Sequence, residues 1–189
     1  MNTTFTIREL MRPVEQFPRI SGRSFFHEAM LALQKADEAF QSGNARQRIL
    51  LVEDEAGRII GKVTPMDVVR GLEPKYDRVE NFSDDIRYGV PQVVQSMKEE
   101  LRHWQEPLDD LCRKAAEVQV ATFMNKPEPN QTVNIDEKMD NILHTFVTSR
   151  RNSLFVAENN AIVGLLRFSD LYAAICKVVQ SCGLKTPAA

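Results

Sequence analysis

The sequence predicts an α+β protein made of two β-α-β-β-α repeats, with a helical segment between them. The first observation is a short motif that occurs twice, as GKVTPMD at 61–67 and as GLLRFSD at 164–170, exactly 103 residues apart. The second is that the residues upstream of each motif also match one another. The third is that strand-like and helix-like periodicities follow in the same order in both copies, as in proteins built from repeats.

The repeats begin with the matching stretches 7–33 and 120–146, which are 113 residues apart. Each stretch starts with apolar residues and a methionine shortly before a proline, and continues through a short extended piece around Ile20 or Val133. An amphipathic helix follows, because apolar residues recur at helical spacing on one face. These residues are Ala29, Leu33, Ala36 and Phe40 in the first copy and Met139, Ile142, Leu143 and Phe146 in the second.

A strand pair and a final helix complete each repeat. The stretches RILLVEDEAGRIIG at 48–61 and RNSLFVAENNAIVG at 151–164 both read as strand, short turn and strand. Because the distance between matching residues falls from 113 to 103, the first copy is about ten residues longer, and the excess lies in 34–47, at the end of its first helix. The predicted repeats therefore cover 5–72 and 118–180.

Between the repeats, residues 73–117 are too long for a simple linker. An apolar stripe at helical spacing is followed by Pro107, which suits the first turn of a second helix. We therefore expect an αα-hairpin in this insert. The stripe consists of Val90, Val93, Val94, Met97, Leu101 and Trp104.

The composition is that of an ordinary soluble protein and argues against several classes of partner. The 24 basic and 26 acidic residues give a net charge of -2 without a basic run, so nucleic acid is not expected. No apolar run approaches the roughly 18 to 20 residues that cross a bilayer, and the N-terminus lacks a signal-peptide pattern, so we expect a cytoplasmic protein without a membrane span. Three cysteines and three histidines are scattered, which indicates neither disulfides nor a metal site.

The repeated motif has two interpretations. In the first copy Thr64 suits a helix N-cap, Pro65 the first helical position and Asp67 the carboxylate of a capping box. An aspartate there can also accept hydrogen bonds from both hydroxyls of a ribose, while the helix N-terminus favours a phosphate. In the second copy Arg167 cannot cap, yet Asp170 keeps its place. This recurrence favours the ligand interpretation, although Ser169 could cap there while Asp170 opposes the helix dipole.

Two such units, each with an h-h-h-V-x-(D/E) strand and a G-h-h-(S/T)-x-x-D-like motif entered through Met and Pro, resemble a pair of CBS domains, or Bateman module. The resemblance covers about 5–72 and 118–180. It implies two sheets packed about a pseudo-twofold axis, with two clefts that bind adenine nucleotides or adenosyl compounds. It also implies a homodimer and a sensing role, commonly for an attached or separate regulated protein.

By this resemblance, each cleft combines the motif of one repeat with the first extended piece and second strand of the other. Arg167 departs from the usual hydroxyl, so it either pairs with a di- or triphosphate or folds inward onto Asp170. The arginines beside the strands have the alternative role of solvated charges. Cleft one would contain Lys62, Thr64, Asp67, Asn134, Ile135, Arg150 and Arg151, and cleft two would contain Leu165, Arg167, Ser169, Asp170, Ile20, Ser21 and Arg48.

The first functional hypothesis is a non-catalytic regulatory module whose ligand is AMP, ADP, ATP or S-adenosylmethionine, with no required cofactor and no metal. The alternative is a ligand-free dimerisation or adaptor protein that uses Met97, Leu101 and Trp104 of the insert as a partner surface. A third, an enzyme with an unrecognised site, has no motif in its favour, because the sequence contains no P-loop, HExxH or nucleophile elbow.

Overall fold

The computed structural model describes residues 5–45, 47–72, 113 and 116–181. The mixed α+β class and the β-α-β-β-α order of both repeats are confirmed. The predicted αα-hairpin of 73–117 lies outside the described residues, except for 113, 116 and 117. The first half contains α1 (Ile7–Leu10), β1 (Arg12–Pro13), a 3-10 turn (Val14–Gln16), β2 (Arg19–Ser21), α2 (Phe26–Gln41), β3 (Leu50–Glu53), β4 (Ile59–Val63) and α3 (Pro65–Leu72). The second half contains α4 (Val120–Phe123), a 3-10 turn (Pro129–Gln131), β5 (Thr132–Asn134), α5 (Met139–Ser149), β6 (Ser153–Glu158), β7 (Ala161–Arg167) and α6 (Phe168–Ser181).

The strand pairing places each repeated motif at one particular edge of its sheet. In the first sheet, of order β2-β3-β4, the β3–β4 pair is antiparallel and aligns Leu50 with Val63. The start of β3 therefore lies beside the end of β4, where the motif follows. Since β2 runs parallel to β3, the motif lies at the edge where β2 and β3 begin. The second sheet, of order β1-β7-β6-β5, repeats this arrangement.

Each repeat is completed by the leading segment of the other. Ile7 of α1 packs into the core of the second repeat, and Val120 of α4 packs into the core of the first. The backbone follows the same exchange, because Arg12 aligns with Leu165 while Asn125 and Lys62 exchange N–H···O bonds of 2.9 and 3.0 Å. The exchange joins the repeats through main-chain hydrogen bonds as well as side chains. A separate apolar layer contains Phe17, Leu51, Phe155 and Leu165 and joins the two sheets.

The glycine that opens each motif is explained by this exchange. A Cβ added at Gly164 would lie 2.5 Å from the carbonyl oxygen of Arg12, and one added at Gly61 would lie 2.9 Å from the carbonyl oxygen of Asn125. Both contacts are closer than van der Waals packing permits, and both involve backbone atoms that cannot rotate away. The recurring glycine is therefore required by the close approach of the other repeat's leading segment.

Candidate functional site

The first cleft is centred on the start of α3, where Asp67 is only 3% exposed. Its Oδ2 accepts hydrogen bonds from the backbone N–H and the hydroxyl of Thr64, at 2.8 and 2.7 Å. Its Oδ1 faces the side-chain amide of Asn125, which donates at 3.3 Å from the leading segment of the second repeat. The bond from the backbone N–H of Thr64 is the one predicted for the carboxylate of a capping box, whereas the Thr64 hydroxyl donates to that carboxylate. The same carboxylate faces the junction of the two repeats.

Lys62 crosses from β4 of the first repeat to the start of β6 in the second. Its ammonium group donates to the backbone carbonyl and hydroxyl of Ser153 at 2.9 and 2.8 Å and lies 4.7 Å from the centre of the Phe155 ring. The residue is 4% exposed. This burial lowers the pKa of Lys62 to about 8; the negative charge of Asp67 acts against the shift and the positive charge of Arg151 adds to it. Lys62, Asp67 and Arg151 are therefore close enough to interact in one cleft.

Two of the other residues predicted for cleft one lie elsewhere. Asn134 aligns with Ala157 on β6, four residues beyond Ser153, which is about 13 Å along a strand. Ile135 is buried in the core of the second repeat. Arg150 is exposed and ends α5 in the left-handed conformation, with φ 51°.

A residue that the sequence did not single out occupies the near end of β5. Thr132 aligns with Phe155, the ring beneath Lys62. Its hydroxyl is buried and has no hydrogen-bond partner among the described residues. A buried hydroxyl without a partner is uncommon, since most such groups are satisfied by protein or water. Ser153, Asn125 and Thr132 are thus additions to the cleft, and all three lie at the sheet edge identified by the strand pairing.

The second cleft contains an internal ion-pair network. Arg167 binds Asp170 in a bidentate manner, with Nε donating to Oδ2 at 2.5 Å and Nη2 to Oδ1 at 2.7 Å. Arg12 also donates to Oδ1, at 2.8 Å, and the remaining nitrogen of Arg167 donates to Oε1 of Gln47 at 3.1 Å. Burial alone would raise the pKa of Asp170, but the hydrogen bonds from Arg167 and Arg12 outweigh it and hold the pKa below its usual value. Of the two arrangements predicted for Arg167, the structure has the inward one.

The other residues predicted for cleft two are also dispersed. Leu165 is buried in the layer between the sheets and Ile20 in the core of the first repeat. Ser21 aligns with Glu53 at the far end of β3. Arg48 pairs with α2, where its guanidinium lies 3.4 Å from the Asp37 carboxylate and 5.6 Å from the centre of the Phe40 ring. Ser169 is exposed in the first turn of α6.

Metal and membrane features were sought over the same ranges. Within residues 5–45, 47–72, 113 and 116–181, no group of His, Cys, Asp and Glu side chains is arranged to hold a metal ion. None of the helices described there combines the length and the apolar composition needed to cross a membrane.

These features define a two-repeat protein with a cluster of polar side chains at each of the two predicted clefts between the repeats. No family model matches the sequence, and no curated protein matches it. Solved structures do resemble the chain and identify the architecture, which is the tandem CBS fold. The sequence-based resemblance is thereby confirmed at the level of fold.

Three of the similar structures illustrate the match. The AMP complex of CBSX2 has a TM-score of 0.55 and 12% identity, covering 93% of this chain and 98% of its own. The CBS domain of a CBS-domain-containing membrane protein from Sphaerobacter thermophilus has a TM-score of 0.52 and 15% identity, covering 90% and 88%. The cytosolic domain of the Mg2+ channel MgtE in complex with ATP has a TM-score of 0.52 and 15% identity, covering 89% of this chain and 48% of its own.

Proposed function

We propose that the chain is a non-catalytic regulatory module that binds an adenine nucleotide or adenosyl ligand in the first cleft. The observation that carries the proposal is the buried carboxylate of Asp67 at the N-terminus of α3, beside the Thr64 hydroxyl and the cations Lys62 and Arg151. A carboxylate in this place can accept both ribose hydroxyls, and the helix N-terminus with a nearby arginine suits a phosphate. The AMP and ATP complexes of proteins with this fold support the ligand class.

The ligand would touch both repeats, which gives it a way to act. Asp67 and Thr64 belong to the first repeat, whereas Arg151 and Thr132 belong to the second. We assign the adenine to the near end of β5, where the Thr132 hydroxyl is buried without a partner among the described residues. A ligand that bridges the two repeats stabilises the arrangement in which both sets of contacts form, and it regulates through that difference in affinity.

The proposal includes no chemical step, although Lys62 and Ser153 superficially resemble a base and a nucleophile. Their side chains are 2.8 Å apart, and burial lowers the pKa of Lys62 to about 8. However, Ser153 is 6% exposed, and Lys62 also donates to its backbone carbonyl. A nucleophile must reach a substrate atom in a productive pose. This pair is therefore interpreted as a structural contact between the repeats.

The test is a thermal-shift measurement with AMP, ADP, ATP and S-adenosylmethionine, each against GMP as a control for the base. The protein is first stripped of any ligand that copurifies. A ligand at 100 times its Kd adds about 2.7 kcal/mol to the free energy of unfolding, which raises the melting temperature measurably. We expect a shift with at least one adenosyl compound and a smaller one with GMP. The absence of a shift with all four compounds would contradict the proposal.

We further propose that the module is a homodimer that uses α6. Phe168, Tyr172, Ile175 and Val179 are exposed large apolar residues with successive spacings of four, three and four, which place them on one face of the helix. This spacing suits a helix that packs along its length against another helix. A second copy related by a twofold axis presents the same stripe, so each stripe can cover the other.

The dimer is tested by sedimentation of the purified chain and of two variants. Ile175→Glu places a charge in the stripe and should give a monomer, whereas Ala173→Glu adds the same charge on α6 away from the stripe and should not. A monomeric wild-type protein would overturn the dimer and would favour a different protein as the partner of this surface. That outcome would leave the nucleotide test unaffected, because the two sites are separate.

A further inference from the structure

The two clefts differ at equivalent positions of the repeat. The first cleft has Thr64 where the second has Arg167, 103 residues later. It has Asn125 where the second has Arg12, 113 residues earlier. In each cleft the residue after the leading methionine contacts the motif aspartate, so Asn125 approaches Asp67 as Arg12 approaches Asp170. A threonine and an asparagine beside one aspartate thus correspond to arginines beside the other.

We infer that Arg12 and Arg167 close the second cleft to nucleotides and turn it into a structural clasp, so that the chain carries one nucleotide site rather than two; the inference rests on the function proposed for the first cleft. Three charge-assisted hydrogen bonds occupy the two oxygens of Asp170. A ribose that used this carboxylate would have to displace both guanidinium groups.

The clasp joins three separate parts of the chain. Arg12 comes from the leading segment of the first repeat, Arg167 and Asp170 come from the β7–α6 corner, and Gln47 comes from the approach to β3. The side chain of Asp170 is 11% exposed and that of Arg167 is 23% exposed. Gln47 is 2% exposed, so its amide holds Arg167 from the protein interior. A bidentate arginine with a buried third contact is fixed in orientation, which disfavours its release to a ligand.

The second cleft also has an arginine at the position equivalent to Thr132. Arg19 is its equivalent, 113 residues earlier, at the start of β2. Arg19 points its guanidinium to Glu53 at 3.4 Å. Where the first cleft has a buried hydroxyl without a described partner, the second has a cation paired with an acid of its own repeat. The hydroxyl assigned to adenine in the first cleft is therefore replaced in the second, and the carboxylate equivalent to the one assigned to ribose is retained but bound by two arginines.

The experiment counts bound nucleotide by equilibrium dialysis with radiolabelled AMP and ATP, at concentrations that saturate binding. We expect one nucleotide per chain for the wild type. The double variant Arg12→Asn, Arg167→Thr gives the second cleft the residue types found in the first, and we expect two per chain. Adding Asp170→Asn to the double variant should return the count to one. Two nucleotides per wild-type chain, with either compound, would overturn the inference. So would one per chain in a folded double variant if the wild type also binds one.

The outcomes separate this inference from the proposed function. If the wild type binds none, but the double variant binds one that Asp170→Asn removes, the clasp is supported and the first cleft is not a nucleotide site. If neither protein binds, both ideas fail. Circular dichroism and a cooperative thermal transition establish folding of each variant. Should the double variant not fold, Arg167→Thr alone keeps Arg12 as the counter-charge of Asp170, and the lack of a second, weaker site in it would overturn the inference.

Discussion

Replacing Asp67 with asparagine is expected to weaken AMP binding about 100-fold, because both ribose hydroxyls lose an ionised acceptor. Hydrogen bonds to a charged group contribute roughly 1.5–3 kcal/mol each, and a 100-fold loss corresponds to about 2.7 kcal/mol. Asparagine keeps the shape of the side chain and one carbonyl oxygen, so it tests charge and acceptor number rather than packing. Isothermal titration of wild type and variant with AMP, well below both melting temperatures, measures the difference.

The matched control is Asp140→Asn. Asp140 is also an acid in the first turn of a helix, α5, but it is exposed. It should leave AMP affinity unchanged. If Asp67 only caps α3, its substitution should cost about 1 kcal/mol of stability and should not alter the affinity for AMP. Equal affinities of Asp67→Asn and wild type would therefore leave capping as the sole role of this residue.

The order of elements could be predicted from the sequence, and the inward arrangement of Arg167 was one of two alternatives that the sequence left open, because both depend on local information. The repeated motif and the matching stretches before it define the order of strands and helices. The spacing of Arg167 and Asp170 at i and i+3 brings the two side chains together at the start of a helix. The second arginine on Asp170 could not be predicted in the same way. Arg12 reaches it only because the leading segment of the first repeat pairs with β7 of the second.

Ile20, Ser21, Asn134 and Ile135 were assigned to the clefts from the sequence, and that assignment stays a prediction, although the structure does not place these residues at the motif end of the strands. Ser21 and Asn134 end β2 and β5, Ile135 follows β5, and Ile20 is the buried middle residue of β2, whereas the motifs lie where β2 and β5 begin. Sequence alternation defines which face of a strand a side chain occupies, and it gives no information on which end approaches the other repeat. An antiparallel β3–β4 hairpin together with a parallel β2–β3 pair implies that the motif lies beside the start of β2. The same argument in the second sheet identifies the start of β5, which is Thr132.

The burial of Lys62 was beyond sequence reasoning for a related reason. In β4 it lies between Gly61 and Val63, and all three are buried. A lysine at such a position is ordinarily assigned to solvent or to a ligand. The structure instead packs the alternate face of β4 against the second repeat, where Ser153 accepts two hydrogen bonds from the ammonium group and Phe155 covers it. Lys62 is thus a contact between the repeats whose charge is costly to bury.

That cost predicts an unusual pH dependence of stability. Burial lowers the pKa of Lys62 from 10.5 to about 8, so the unfolded chain binds this proton more tightly than the folded one. Between pH 8 and pH 10.5 the unfolded state carries more protons, and the contribution of Lys62 to the free energy of unfolding must rise with pH. Each pKa unit corresponds to 1.36 kcal/mol, so the rise is roughly 3 kcal/mol. Below pH 8 both states are protonated and the contribution is constant.

Urea unfolding of wild type and Lys62→Met between pH 7 and pH 10 measures this effect. Other groups titrate over the same range, but they do so in both proteins, so their contributions largely cancel in the difference. We expect the difference in free energy of unfolding, wild type minus Lys62→Met, to increase as the pH rises above 8. Lys62→Arg is the matched control, because arginine keeps the positive charge and does not lose its proton in this range. The difference in free energy of unfolding between wild type and Lys62→Arg should therefore increase with pH in the same way. A difference that stays flat or falls with pH would show that Lys62 is solvated, and the contact with Ser153 would then not be a buried link between the repeats.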